Sequence, residues 1–148
     1  MIKYQYITQI DLPTQPEQSE IASFLHEHLD QYGDPLPDIK SAIEYAVGGH
    51  PSKGGFVLTA RENGSVIGAV VVNKTNMGGY IPENILVYIA IHKKARGKGI
   101  GKEIMKKALS YANGGVALHV EPDNPAKILY EKLGFENKYL EMRYEPSK

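Results

Sequence analysis

An α/β (α+β) fold with a mixed central sheet is what the sequence predicts, and three features predict it. Segments of strand pattern and helix pattern alternate along the chain. The seven-residue apolar run Ile85 to Ile91 is followed by a glycine-rich bend, a helical segment and another β-rich run. A strand, a helix and a strand in succession almost always close as a right-handed crossover between parallel strands. Two earlier β-rich runs meet at Asn63-Gly64, whose readiness for positive φ suits a hairpin, so one pair at least is antiparallel.

Ile2 to Ile10 reads as the first strand, with Ile2, Tyr4 and Tyr6 on one side. Thr14-Gln-Pro-Glu17 has the spacing of a capping box and opens a helix predicted to run to about Tyr32, its apolar positions Ile21, Phe24, Leu25, Leu29 and Tyr32 three and four apart. A second helix spans about Asp38 to Val47 and stops at Gly48-Gly49. Phe56 to Ala60 and Val66 to Asn73 form the hairpin. Ile85 to Ile91, apolar without alternation, is predicted as the central strand, buried on both faces. A helix with Ile100, Ile104, Ala108, Leu109 and Ala112 inward stops at Asn113-Gly114-Gly115, and Val116 to Glu121 is the next strand. Asp123 or Asn124 caps a last helix that Gly134 ends, and Tyr139 to Tyr144 supplies a final strand, giving the order β α α β β β α β α β.

Composition narrows the function. The 148 residues fit one domain, 1–148, able to bury a core without disulfide or metal staples. The absence of Cys excludes thiolate nucleophiles and zinc fingers. No apolar run is long enough for a membrane span or a signal peptide, so a cytoplasmic protein is expected, with no membrane partner. Equal numbers of cationic and anionic side chains, 17 each, argue against a nucleic-acid partner, whose affinity comes from excess Lys and Arg. The balance hides a separation: from Asp11 to His50 eight acids stand against Lys40 alone, and from Lys93 to Lys107 seven cations stand against Glu103. His26 and His28 are two apart, a spacing that does not make a metal-binding pair on a helix, so no metal is expected.

Arg96-Gly-Lys-Gly-Ile-Gly101 sits where the first amides of a helix lack intrahelical partners and the macrodipole places about half a positive charge. Gly97, Gly99 and Gly101 let phosphate oxygens approach main-chain N–H groups, and Arg96, Lys98 and Lys102 add charge. The loop is neither a P-loop, which needs one more residue before Gly-Lys and then Ser or Thr, nor the dinucleotide fingerprint, which needs Gly at Lys102.

Arg96-Gly-Lys-Gly-Ile-Gly101, with Leu118-His-Val-Glu-Pro-Asp-Asn124, Ala126 and Leu129-Tyr-Glu-Lys-Leu-Gly-Phe135 downstream, resembles the GNAT superfamily of acyl-CoA-dependent N-acyltransferases. That family's phosphate loop has the form Gln/Arg-x-x-Gly-x-Gly/Ala. The resemblance covers about Ile85 to Phe135, and Lys93 stands where many members have Pro. It implies a sheet whose parallel strands splay, with acetyl-CoA as acyl donor. Main-chain groups of Ile89, Ala90 and Ile91 would hold the pantetheine arm, amides from Gly97 through Ile100 to Lys102 the pyrophosphate, and Asn124 would contact the arm or simply cap its helix.

The same resemblance makes Tyr130 the acid that protonates the departing CoA thiolate. A phenol with pKa about 10 is available as a donor at pH 7, and a thiol near about 8.5 is a tolerable leaving group. The acceptor is expected to be a primary amine, on a small molecule or peptide, that attacks the thioester directly in a ternary complex. For the base, Glu83 is best placed by sequence, ahead of Tyr88, His119 and Glu121, with a water chain as another route. The acids of the N-terminal helices, Glu27 and Asp30 among them, suit a cationic acceptor steered from the rim. A homodimer is compatible with this reading, and a non-catalytic acyl-CoA sensor or interaction module is its rival.

Overall fold

The computed structural model describes residues 1–49 and 53–146, in two compact units that divide between Leu118 and His119. The first unit carries a five-stranded sheet ordered β1-β2-β3-β4-β5. Its strands are β1 (Ile2–Ile7), β2 (Gly55–Glu62), β3 (Ser65–Lys74), β4 (Asn84–Ile91) and β5 (Val116–Leu118). All neighbours pair antiparallel except β4 and β5, which are parallel. The helices of this unit are α1 (Gln15–His28), α2 (Leu36–Val47) and α3 (Ile100–Tyr111).

Local chemistry accounts for the boundaries. The Thr14 hydroxyl accepts the Glu17 N–H and the Glu17 carboxylate accepts the Thr14 N–H, so both sides of the predicted capping box are made. α1 ends at His28 rather than Tyr32 because Asp30 has φ 55°, a left-handed backbone that no α-helix can pass through, and Asp30–Tyr32 form a single 3-10 turn. α2 starts two residues earlier than predicted, at Leu36, with Pro35 before it and Pro37 in its first turn, where a missing N–H costs nothing. Asn63 and Gly64, at φ 53° and 82°, make the predicted hairpin turn.

The main core lies on the α1/α2 side: Ile21, Leu25, Ile39, Ile43 and Val47 pack with Val57, Val71, Tyr88 and Ala90 of the sheet. On the opposite face α3 buries Ile100, Ile104, Met105 and Ala108. The central strand is β3, whose residues from Val66 to Val72 are all buried, and not β4 as the unbroken apolar run suggested. β4 alternates between buried and half-buried positions, and its outer neighbour is short: β5 stops at Leu118, three residues before the predicted end. One irregularity interrupts β4. Leu86 faces Val72 and Tyr88 faces Val71, leaving Val87 unopposed as a bulge.

The second unit contains α4 (Ala126–Lys132). The predicted final strand is absent: residues 136–146 adopt no regular structure, and Tyr139, Leu140, Met142 and Tyr144 are 80% to 90% exposed. A strand-like pattern states a preference, and only a partner edge turns that preference into a strand.

Candidate active site

β4 pairs with β5 only from Asn84 to Leu86, opposite Val116 to Leu118, and then continues alone on that side to Ile91. The His92 N–H is spent on the Ile67 carbonyl of β3. Alternation along the strand therefore turns the polar backbone groups of Ile89 and Ile91 toward the open side, while Ala90 turns its own toward Ala69 on β3. Beyond Leu86, β5 no longer pairs with β4, and Ile89 and Ile91 face that unpaired side. Of the three residues expected to line it, Ala90 faces the wrong way to offer its backbone.

The open edge leads into the glycine bend. A 3-10 turn, Lys93–Ala95, comes first, with the His92 Nδ1 accepting the Lys94 N–H at 3.1 Å. Gly97 and Gly99 follow at φ 81° and 80°, and Gly99 is the cap of α3. No atom lies within 4 Å of where a Cβ would sit on either residue, so glycine is required by backbone conformation and the bend faces open space. The first helical bond runs from the Glu103 N–H to the Gly99 carbonyl, leaving the amides of Ile100, Gly101 and Lys102 without intrahelical acceptors. Lys98 and Lys102 are exposed around them. Free amides and lysines in this arrangement are chemically suited to an anion.

Arg96 does not add its charge as the sequence suggested. Its Nε donates to the Ile91 carbonyl at 3.0 Å, one Nη to the His28 carbonyl at 2.8 Å, and the other approaches the Asp30 carboxylate at 3.4 Å. Asp30 also takes Lys93 Nζ at 3.0 Å. Lys93 and then Arg96 hold the Asp30 carboxyl below the usual carboxylate range. His28 is 5% exposed and lies against both His92 and Phe24, ring centroids 4.2 Å and 4.7 Å away, and those two rings are themselves 6.4 Å apart. Its pKa is depressed, first by burial and then by His92. Sequence reading missed this cluster, since 66 residues separate Asp30 from Arg96 and no local pattern links them.

Glu83 lies just before β4, at the end away from the bend, and eight strand residues or about 25 Å of extended chain separate the two. Its carboxylate accepts the Gly115 N–H at 2.8 Å, a bond that lowers its pKa and makes it a weaker base. With Lys74, Asn76, Gly78, Asn84 and Asn113 it lines a polar cavity of about 220 Å³. Tyr88 is buried and donates its hydroxyl to Asp34 at 2.5 Å; burial first, then that carboxylate, raises its pKa far above the phenol range.

In the second unit, Tyr130 is 7% exposed, its ring edge-on to Phe135 at 6.0 Å, and burial raises its pKa. The cap residue of α4 is Pro125 and not Asp123 or Asn124 as expected, but Asn124 still takes up the first amide, its Oδ1 accepting the Ala126 N–H at 2.9 Å. His119 and Glu121 are exposed. Among the described residues, no group of three or more His, Asp or Glu could hold a metal ion, and no helix is long and apolar enough to cross a membrane.

A family profile described as acetyltransferase (GNAT) domain matches residues 53–137. The chain is similar to the N-alpha-acetyltransferase RimI of Mycobacterium tuberculosis (strain ATCC 25618 / H37Rv), 33% identical over 88 residues, which are 57% of this chain and 54% of RimI. The match therefore spans about half the length of that relative. Among solved structures, ribosomal-protein-alanine N-acetyltransferase from Brucella melitensis biovar Abortus 2308 superposes with a TM-score of 0.65 at 16% identity, covering 98% of this chain and 99% of that one. AAC(6')-Iy, solved with the bisubstrate analogue CoA-S-monomethyl-acetylneamine, superposes with a TM-score of 0.67 at 12% identity, covering 100% and 99%. At these identities the likeness establishes a shared fold.

Proposed function

The chain belongs to the GNAT family of acetyltransferases, and from that premise we propose that it carries an acetyl group from acetyl-CoA to a primary amine by direct attack within a ternary complex. One observation carries the reading: a strand edge with no strand beside it from Val87 to Ile91 leads into a glycine bend with free amides at the start of α3. Unpaired backbone groups at such an edge favour an amide-rich ligand, and pantetheine is one. Backbone groups of Ile89 and the Ile91 N–H bind the arm, the Ile91 carbonyl being held by Arg96, and amides from Gly97 to Lys102 bind the diphosphate. Asn124 already spends its Oδ1 on α4, which leaves its Nδ2 for the ligand.

Tyr130 is the acid. Burial raises its pKa, so it stays protonated at neutral pH. The same shift makes full proton transfer to a thiolate more uphill than the roughly 2 kcal/mol of a free phenol, so it acts as a hydrogen-bond donor to the departing sulfur. The base determines the acceptor. A lysine-like amine, pKa about 10.4, costs roughly 4 to 5 kcal/mol to deprotonate at pH 7, whereas an α-amine, pKa about 7.7 to 8.0, costs only about 1 kcal/mol. With Glu83 held as a weak base and Tyr88 engaged by Asp34, a peptide α-amine is the acceptor of choice, which accords with the similarity to an N-alpha-acetyltransferase. A cationic segment beside that amine would suit the acidic rim.

Thiol release measured with acetyl-CoA tests this against three acceptors: peptides with a free α-amine, Nα-blocked lysine peptides and an aminoglycoside. Turnover is expected to favour the first, and Tyr130→Phe to lower kcat by about 100-fold. A Glu83→Gln variant that lost activity to the same degree would make Glu83 the base after all. No release on any amine, with acetyl-CoA bound, would sink the transfer reading.

A further inference from the structure

We infer that Arg96 and Asp30 are positioning residues for the donor: together they lock the glycine bend to the end of α1, and neither touches the diphosphate. The inference rests on the acetyl-CoA reading above. Arg96 stands immediately before Gly97, and all three of its guanidinium nitrogens face acceptors of this chain: the Ile91 carbonyl at 3.0 Å, the His28 carbonyl at 2.8 Å and the Asp30 carboxylate at 3.4 Å. The His28 carbonyl belongs to the last turn of α1, where no intrahelical donor remains, and the Ile91 carbonyl lies on the open edge of β4. Swinging the fork outward to a phosphate would strand both.

Asp30 completes the lock. Its carboxylate holds Lys93 at 3.0 Å as well as Arg96, and so ties both ends of the 3-10 turn Lys93–Ala95 to α1. It does so from a left-handed backbone, φ 55°, that among non-glycine residues Asp and Asn adopt most readily. The foot of the bend is therefore set before a ligand arrives, which spares the ordering cost of binding. Asp30 accordingly serves the donor side and is not a free rim charge for a cationic acceptor.

The test compares Asp30→Asn, Arg96→Ala and Arg96→Lys with wild type, using acetyl-CoA and S-acetylpantetheine, a donor without the diphosphate. Glu20→Gln is the control, because it breaks the Glu20–Arg61 pair that ties α1 to β2. Asp30→Asn is expected to raise KM for acetyl-CoA about two- to fivefold, the range of an exposed ion pair. Arg96→Ala and Arg96→Lys should raise it further, since Lys lacks the fork. KM for the amine and kcat at saturating donor should hold, the loss should vanish with S-acetylpantetheine, and Glu20→Gln should behave as wild type.

A direct Arg96–phosphate contact predicts the reverse for Asp30→Asn: a freed guanidinium leaves KM for acetyl-CoA unchanged or lower, with Arg96→Lys partly active. An equal loss with both donors would reduce the cluster to general scaffolding. Either result overturns the inference. If Arg96→Ala does not fold, Asp30→Asn decides the matter alone, because Asn tolerates left-handed backbone. A wild-type chain that neither binds nor uses acetyl-CoA would remove the proposed function and this inference together, whereas active wild type with an unaffected Asp30→Asn removes only the inference.

Discussion

His28 is kept neutral by its neighbours. Its Nδ1 faces the Lys93 N–H at 3.4 Å, a donor that leaves no room for a second proton, and its Nε2 faces Glu27 at 3.3 Å. Burial and then His92 set its folded pKa below the ordinary 6.5. Between the folded and unfolded values the unfolded chain binds more protons, so stability should fall as pH drops below about 6.5 and be fully present above it. Urea midpoints at about pH 7.5 and about pH 5.5 check this, with His28→Phe expected to flatten the difference. Tyr88→Phe removes the donor to Asp34 and should cost about 1 kcal/mol, read by the same titration. Residues whose role comes from backbone chemistry, such as Gly97 and Gly99, were legible in the sequence. His28, Asp30 and Asp34 were not, because each depends on a partner more than 50 residues away.

Elements were legible where the signal was local. Thr14 and Glu17 announced the start of α1, and Thr14→Ala should cost about 1 kcal/mol in thermal or urea unfolding. Gly55 is the opposite case: a Cβ there would collide with the Val72 carbonyl oxygen, so Gly55→Ala should disrupt the β2–β3 pairing and lower soluble yield. Nothing near Gly55 in the sequence signals that contact. The same limit explains the misplaced centre of the sheet. β3 and β4 are both apolar, and which of them has neighbours on both sides for its full length depends on where β5 stops. Tyr139 to Tyr144 reads as a strand for the same reason, its pattern carrying no word about a partner edge.

Taken whole, the chain's separated charges are partly closed by its fold. Asp30 from the acidic stretch meets Lys93 and Arg96 from the basic one, and Glu20 meets Arg61. Lys98 and Lys102 are left to face solvent at the bend, and a ligand bound there should stabilise the molecule. Acetyl-CoA at about 100 times its Kd adds about 2.7 kcal/mol, or a rise of about 5 to 10 °C in Tm, measurable by scanning calorimetry. The bulge at Val87 has the widest reach of any single feature. Before it, Leu86 sits on the α3 side; after it, Tyr88 and Ala90 serve the α1/α2 core, although the sequence keeps an even beat throughout. Val87 thus acts as a phase shifter between two interiors. Excising that one residue would close Leu86 and Tyr88 into an unbroken ladder opposite Val72 and Val71, each still turned to its own interior, so the strand would lose only its local kink and the Tyr88 phenol would stay beside Asp34.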